Sequence, residues 1–413
     1  MPQIIADLQI HSRHSRATSK DLTLTTLEKY ARIKGITLLG TGDFQHPKWR
    51  QEIKAELTED DRGILWSKTK FPFFWQTEIS LMYTQDGKGR RIHHLIYAPN
   101  GEVAAQITEA LGKRGRLDYD GRPIFGFSSI ELVEMMRAIS HDIEIVPSHA
   151  WTPWFGALGS NGGFDSLKQC FGEYEKHIHA IETGMSSDPP MNWRLSQLDG
   201  KQLISSSDAH SFWPWRLGRE ANLFDCEYDA KEILKAIRTG NGLTGTIEVN
   251  PNYGKYHVDG HRNCNVVFEP KESRARNNIC PKCKKKLTIG VLHRVEELAD
   301  RPEGYVMPNA KKFYTLIPLT ELIAARHNIT LLGGKKVWEI YNSLINNFKN
   351  EFIILLETPE KELIKVIDEK LTKLIIQNRE GTLKVEPGYD GVYGKVIVDE
   401  KTEQKTQKKL SDF

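Results

Sequence analysis

Four short segments place His and Asp at the end of an apolar, strand-like run, and they constrain the fold more than any other feature of the chain. They are Asp7-Leu8-Gln9-Ile10-His11-Ser12, Gly42-Asp43-Phe44-Gln45-His46-Pro47, Pro147-Ser148-His149-Ala150-Trp151 and Ser207-Asp208-Ala209-His210. A barrel collects its strand ends at one mouth, so this arrangement repeated around a barrel would gather oxygen and nitrogen ligands there. Such a mouth can hold several metal ions, and a multinuclear centre is suited to breaking phosphate esters.

The first 250 or so residues alternate short apolar runs with helical patterns. The spacing predicts strands over 4–10, 36–39, 73–77, 92–97, 143–146, 178–181 and 202–204, with helices over 24–34 and 129–139 among the connections. Alternation of this kind indicates an α/β fold, either a βα barrel or a parallel sheet. In the first strand, Asp7, Gln9 and His11 share one face by the period-2 rule, and Ala6, Leu8 and Ile10 share the other. The polar face is expected to point into the lumen or the mouth.

The chain has 413 residues, long enough for two or three domains. No apolar run reaches the roughly 18 residues of a membrane span. The N-terminus meets Asp7 at once and lacks a basic leader, which argues against a signal peptide. Five cysteines, three of them clustered, point to metal ligation in a reducing cytoplasm rather than to disulfides. Net charge is only +3, but residues 253–290 hold nine Lys or Arg against three acids. Beside a phosphate-cleaving site such a patch favours a polyanionic substrate; a solvated basic face is the plain alternative.

Three further units follow the proposed barrel (1–250). Residues 251–300 are too few and too polar for a large core, so a metal staple is expected. His261/Cys264 and Cys280/Cys283 form two equally spaced pairs suited to a tetrahedral structural zinc, with His257 the competing fourth ligand. Residues 301–398 read as mostly helical: Val337, Ile340, Tyr341, Leu344, Ile345 and Phe348 recur on one helical face. Thr358-Pro359 reads as an N-cap followed by Pro at the first helical position, with Leu363, Ile367, Leu371 and Leu374 continuing an apolar stripe. Residues 399–413 are polar, Lys-rich and expected to be disordered. Their end, Gln407, Leu410 and Phe413, matches much of the Q-x-x-aliphatic-x-x-aromatic-aromatic pattern of peptides that bind the sliding clamp PCNA. A solvated tail is the alternative.

His, Asp and Glu at strand ends bind divalent metals, and burying so many polar groups without a partner would be costly. The candidate ligands are His11, Asp43, His46, Glu78, His94, His149, Asp208 and His210. In order and type, segments 7–12, 42–47, 77–78, 147–150 and 207–210 resemble the motifs of the PHP (polymerase and histidinol phosphatase) superfamily. That resemblance implies a distorted (β/α)7 barrel with two or three active-site metals, Zn, Mn or Mg. The superfamily's usual first motif is His-x-His, and here Gln9 stands at its first position, so an amide oxygen replaces an imidazole. By resemblance Glu78 is the bridging carboxylate, and Asp208, Glu78 and His149 carry the catalytic roles. His94 is preferred to His93 because the family's ligand is followed by an apolar strand, as in His94-Leu95-Ile96-Tyr97.

Strings such as Ser12-Arg13-His14-Ser15-Arg16-Ala17-Thr18-Ser19 and Ser186-Ser187-Asp188-Pro189-Pro190-Met191-Asn192-Trp193 are similar to the endonuclease Q family and to PHP modules of UvrD-type helicases. The likeness extends to about Lys395. It implies a lesion-specific DNA endonuclease that cuts on the 5′ side of deaminated bases (uracil, hypoxanthine, xanthine) and abasic sites, with metal-activated water as nucleophile. Damaged DNA, single- or double-stranded, is the implied partner, and a monomer the implied state. Trp151, Trp154, Phe155, Trp213 and Trp215 flank the ligand segments and could stack on an extruded base, or simply pack the barrel mouth. Lys284 and Lys285 beside the zinc pair could clamp phosphates. Two other readings stand beside this one: a phosphatase for a small ester, which has no need of the zinc and helical units, and a DNA-binding module that has lost catalysis, which Gln9 alone supports.

Overall fold

The computed structural model describes residues 3–398. Seven strands follow the spacing read from the sequence: Ile4–Asp7, Leu38–Gly40, Pro72–Phe74 running on into Gln76–Gln85, Lys88–Tyr97, Glu144–Pro147, Ala180–Glu182 and Gln202–Ile204. Ile4–Asp7 and Leu38–Gly40 pair in parallel, as do Ala180–Glu182 and Gln202–Ile204. The ring closes where Ile10 pairs with Ala209. One buried cluster draws Ala6, Leu38, Phe74, Leu95, Val146, Ala180 and Ile204 from the seven strands, with Ile233 and Ile237 from the helix Ala230–Thr239. This is the barrel interior.

The distortion has two sources. Gln76–Gln85 and Lys88–Tyr97 form a ten-residue antiparallel hairpin, so strand four runs against its neighbours on both sides. Ile4–Asp7 also pairs antiparallel with Ala221–Phe224, which extends the sheet through Leu243–Val249 to Lys312–Leu316. The last of these strands comes from the stretch read as mostly helical and joins Leu243–Val249 in parallel. With Ala6 and Leu8 in the interior cluster, Asp7 turns to the other face rather than into the lumen. There it accepts from the N–H of Ser207 (3.0 Å) and Gly218 (2.8 Å), and so ties the Asp208 loop to the first strand.

Short-range signals set the helix ends. Thr23 and Ser128 build capping boxes before Leu24–Lys34 and Ser129–Ile139. The first of these helices stops at Gly35, which sits at φ 103° with no room for a side chain beside Asn350. Lys34, just before it, forms a buried ion pair with Glu351 (2.7 Å), whose carboxylate also accepts from Leu319 N and Tyr341 Oη. This buried network ties the C-terminal helices Leu319–Arg326 and Lys335–Phe348 to the barrel. The stripe from Leu363 to Leu374 is not one helix. Pro359 caps the short helix Glu360–Leu363, Asp368 caps Glu369–Arg379, and Thr358 Oγ1 instead bonds back to Ile353 O.

Residues 251–300 hold a small hairpin, Asp259–His261 with Val266–Phe268, and a satellite apolar cluster of Val266, Cys280 and Leu287, while Tyr253, Val291 and Val295 join the main core. No helix among the described residues is long and apolar enough to cross a membrane.

Candidate metal-dependent active site

Three residues at the mouth, Asp43, His149 and Asp208, take positive φ (39°, 31° and 49°), although none is glycine. Such backbone strain gathers where side chains must be aimed at one point. Two groups of ligand atoms converge there, each within 4.8 Å: His11, Asp208 and His210, and Glu78, His93 and His149. Glu78 stands between them. Its Oε2 lies 2.9 Å from His11 Nε2, and its Oε1 lies 2.9 Å from His93 Nδ1 and 3.4 Å from His149 Nε2. His11 Nε2 is also 3.1 Å from Asp208 Oδ1, so one imidazole and one carboxylate join the two groups.

These donors fit divalent cations. Glu78 is fully buried, yet Oε1 forms no hydrogen bond of acceptable geometry despite two imidazole nitrogens within 3.4 Å. Its lone pairs and theirs converge on shared space, as a metal requires. The electrostatics of Glu78, His93 and His210 agree with this, while at His11 burial is outweighed by Asp43, Asp208 and Glu78, which raise it well above its usual value. Burial opposes the charge on Glu78, but Arg122 and the surrounding histidines outweigh it and hold the carboxyl well below its usual range. Burial pushes His93 down to about 3 and also lowers His210, so both imidazoles are neutral and free to ligate.

Asp43 serves as the orienting partner of His11. Its Oδ1 lies 3.1 Å from His11 Nδ1, and its Oδ2 accepts from Ser12 N (2.6 Å) and Ser15 Oγ (2.8 Å). A carboxylate behind a ligand imidazole fixes the tautomer and the ring plane. In the same way His149 N donates to Glu182 Oε2 (2.7 Å).

Two expected ligands lie elsewhere. His46 caps the helix Pro47–Glu56 and stacks on His14, with ring centres 4.4 Å apart. His94 meets Ser129 Oγ at 2.9 Å and packs on Phe171, while its neighbour His93 enters the site. Register explains the exchange. Glu78 pairs with Leu95 and Ser80 with His93, so His93 shares the face of Glu78 and His94 the opposite one. Gln9 is fully buried, and neither atom of its amide has a partner among the described residues.

The aromatics divide in the same way. Trp151 is a core residue whose Nε1 donates to Asn192 Oδ1 (2.7 Å). Phe155 stacks on the ligand His93, with ring centres 4.3 Å apart. Trp154 is half-buried against Tyr256. Trp213 and Trp215 stack in parallel and meet Trp338 of the C-terminal helices.

In the zinc unit, His261, Cys264, Cys280 and Cys283 bring their donor atoms within 4.8 Å of one another. His257 lies apart, with Nδ1 near Ser186 O (3.2 Å). Burial opposes a Cys280 thiolate, but the N–H groups of Cys283 and Lys282 outweigh it and bring the thiol down to about 6. Lys284 and Lys285 are exposed beside the cluster.

The sequence reading passed over Arg122. Its Nη1 lies 3.2 Å from Glu78 Oε2. It sits in a turn with no periodic pattern to flag it, and Gly121-Arg122-Pro123 reads simply as a loop.

Comparison with known proteins bears on both the fold and the site. Over its whole length the chain superposes on the lesion-specific endonuclease PfuEndoQ of Pyrococcus furiosus, with a TM-score of 0.85, 29% identity and 99% of that chain covered. It superposes equally on endonuclease Q in complex with a 27-mer duplex carrying an abasic lesion at the active site (TM-score 0.87, 29% identity, 96% of this chain and 97% of that one). Along its whole length this chain is built like endonuclease Q. Residues 318–382 match the family model of the MJ0043 C-terminal domain. MJ0043 of Methanocaldococcus jannaschii, an uncharacterised protein, is 33% identical over 258 residues, and the match takes in 31% of that protein's length. The uncharacterised YqxK of Bacillus subtilis is 28% identical over 96% of this chain and 100% of its own.

Proposed function

We propose that this chain is a metal-dependent endodeoxyribonuclease of DNA repair that hydrolyses the phosphodiester on the 5′ side of deaminated bases and abasic sites. The observation that carries the reading is the pair of three-ligand groups joined through Glu78, at the mouth of a barrel that matches endonuclease Q along its whole length. Divalent ions held by His11, Asp208 and His210 and by Glu78, His93 and His149 would supply the charge that activates water and stabilises the phosphate oxygens. The chain's own residues set the geometry. Asp43 fixes the His11 ring, Glu182 anchors the His149 backbone, and Asp7 holds the Asp208 loop. Phe155 covers one face of His93.

Supporting the DNA reading are the exposed lysines of the zinc unit and the aromatic groups Trp154/Tyr256 and Trp213/Trp215. A damaged base unstacks more easily than a normal one, and each stacked base contributes about 1–3 kcal/mol. The proposed division is barrel, zinc unit, helical unit and tail, acting as a monomer in the cytoplasm. Gln407, Leu410 and Phe413, which lie outside the described residues, are proposed to dock on PCNA; unchanged clamp binding after their deletion would remove that partner.

The test is end-labelled DNA with one deoxyuridine, incubated with Zn²⁺, Mn²⁺ or Mg²⁺ beside Asp208→Ala. The expected result is a single metal-dependent nick directly 5′ of the uracil, lost in the variant. Intact DNA with phosphate released from a small ester would move the reading to a phosphatase. Binding without nicking in any metal would leave an inactive module.

A further inference from the structure

Arg122 is held against the ligand groups by a strap built for that purpose. Gly121 N donates to His14 O (3.1 Å), and Gly121 O accepts from Gln45 Nε2. Asp120 receives the N–H of Arg122 (3.1 Å) and of Arg16 (3.3 Å), and pairs with the Arg16 guanidinium (3.2 Å). Pro123 O accepts from Ser80 N (3.0 Å), two residues beyond Glu78. The strap runs so close to Asp43 that a Cβ on Gly121 would lie 2.1 Å from Oδ2 and 2.2 Å from Ser15 Oγ, so only glycine fits. The loops that carry His11, Asp43 and Glu78 therefore all fasten this turn.

The guanidinium delivered by the strap is mostly unused. It touches Glu78 through Nη1, and its side chain keeps 25% exposure. A guanidinium carries five N–H donors, and among the described residues Glu78 is the only acceptor recorded for this one. Arg219, also close to Asp208, differs: Nε and Nη2 are both spent on Ser207 O, and Nη1 reaches Tyr393. A guanidinium is cationic at any working pH. A charge meant only to neutralise Glu78 would need neither a fork of free donors nor an opening to solvent. A planar fork with two free edges matches two oxygens of one phosphate.

We propose that Arg122 is a catalytic residue that grips the non-bridging oxygens of the scissile phosphate, while its Nη1 edge stays on Glu78. The proposal rests on the phosphodiesterase reading of the mouth. It adds a fixed positive group that meets the substrate beside the metal ligands.

The test uses the full, metal-loaded chain and Arg122→Ala, Arg122→Gln and Arg122→Lys. Three quantities are read: metal per chain by mass spectrometry, affinity for inorganic phosphate by calorimetry, and single-turnover cleavage of the deoxyuridine DNA. The expected result is unchanged metal content, phosphate affinity lower by at least about 10-fold, and cleavage slower by about 10²–10³-fold, as for loss of one preorganised donor to a transition-state oxygen. Added guanidinium should restore part of the rate to Arg122→Ala, and lysine should replace arginine poorly. Unchanged phosphate affinity, or a rate loss accounted for wholly by lost metal, would overturn the assignment. Should the wild type cut no lesion DNA, the phosphate measurement still decides: a drop in the variants upholds Arg122 while the nuclease reading falls.

Discussion

The zinc unit and the barrel mouth both gather metal ligands, and they do so in opposite ways. In the zinc unit all four donors come from 23 consecutive residues, 261–283, and the apolar support amounts to three side chains. At the mouth the donors run from His11 to His210, and the barrel interior and Asp7, Asp43 and Glu182 hold them in place. The Cys/His unit is therefore expected to need a metal in order to fold, whereas the mouth is preorganised by the fold and is expected to need its ions in order to act.

The comparison breaks first, and most visibly, at the cysteines. Cys280→Ser with Cys283→Ser should remove one bound metal per chain and unfold residues 259–287, because structural zinc contributes on the order of 10 kcal/mol to such units. Metal analysis and limited proteolysis check this, and a unit that stays protease-resistant without zinc would erase the contrast. Next in size is the neighbouring pair in strand four. His93→Ala should deplete the active-site metal and slow cleavage by about 10²-fold. His94→Ala should keep both and lower stability by about 1–2 kcal/mol through the lost Ser129 hydrogen bond. The reverse pattern would return His94 to the ligand set.

A smaller effect is expected at the rim. Trp154→Ala should reduce cleavage of deoxyuridine DNA by about 10-fold, in line with one lost stacking contact, while the melting temperature moves by less than about 2 °C. Matching losses of activity and stability would make Trp154 a packing residue. A last effect, on stability alone, concerns the barrel body. Glu248 is fully buried, accepts from Thr183 and Thr246, and is raised by burial to about 7 from an ordinary 4.5. The folded state thus holds a proton that the unfolded state releases, so stability should fall as pH rises from about 4.5 to 7 and level off above. Glu248→Gln should flatten that fall, by about 2 kcal/mol at neutral pH. Denaturant melts at pH 5 and pH 8 measure it, and equal slopes for both proteins would refute it.

Much of this was legible in one dimension because the carrying signals are local. The seven strands, the helix caps at Thr23 and Ser128, and the convergence of His261, Cys264, Cys280 and Cys283 each follow from residue type and short spacing. What stayed hidden is where neighbours diverge or distant segments meet. His93 and His94 have the same flanks, and only the pairing of Lys88–Tyr97 with Gln76–Gln85 tells which one faces Glu78. Asp43 and His46 look alike as strand-end ligands, yet one backs His11 and the other caps a helix.

The sequence by itself determined the kind of chemistry, since His, Asp, Glu and Cys at strand ends and in close pairs admit few uses besides metal binding. It also determined the order of elements, because hydrophobic period and caps act within a few residues. Only the tertiary structure decided which donors converge, which serve as supports, and that Arg122 stands among them. Convergence depends on strand register and loop closure over as many as 200 residues, and no local pattern encodes either.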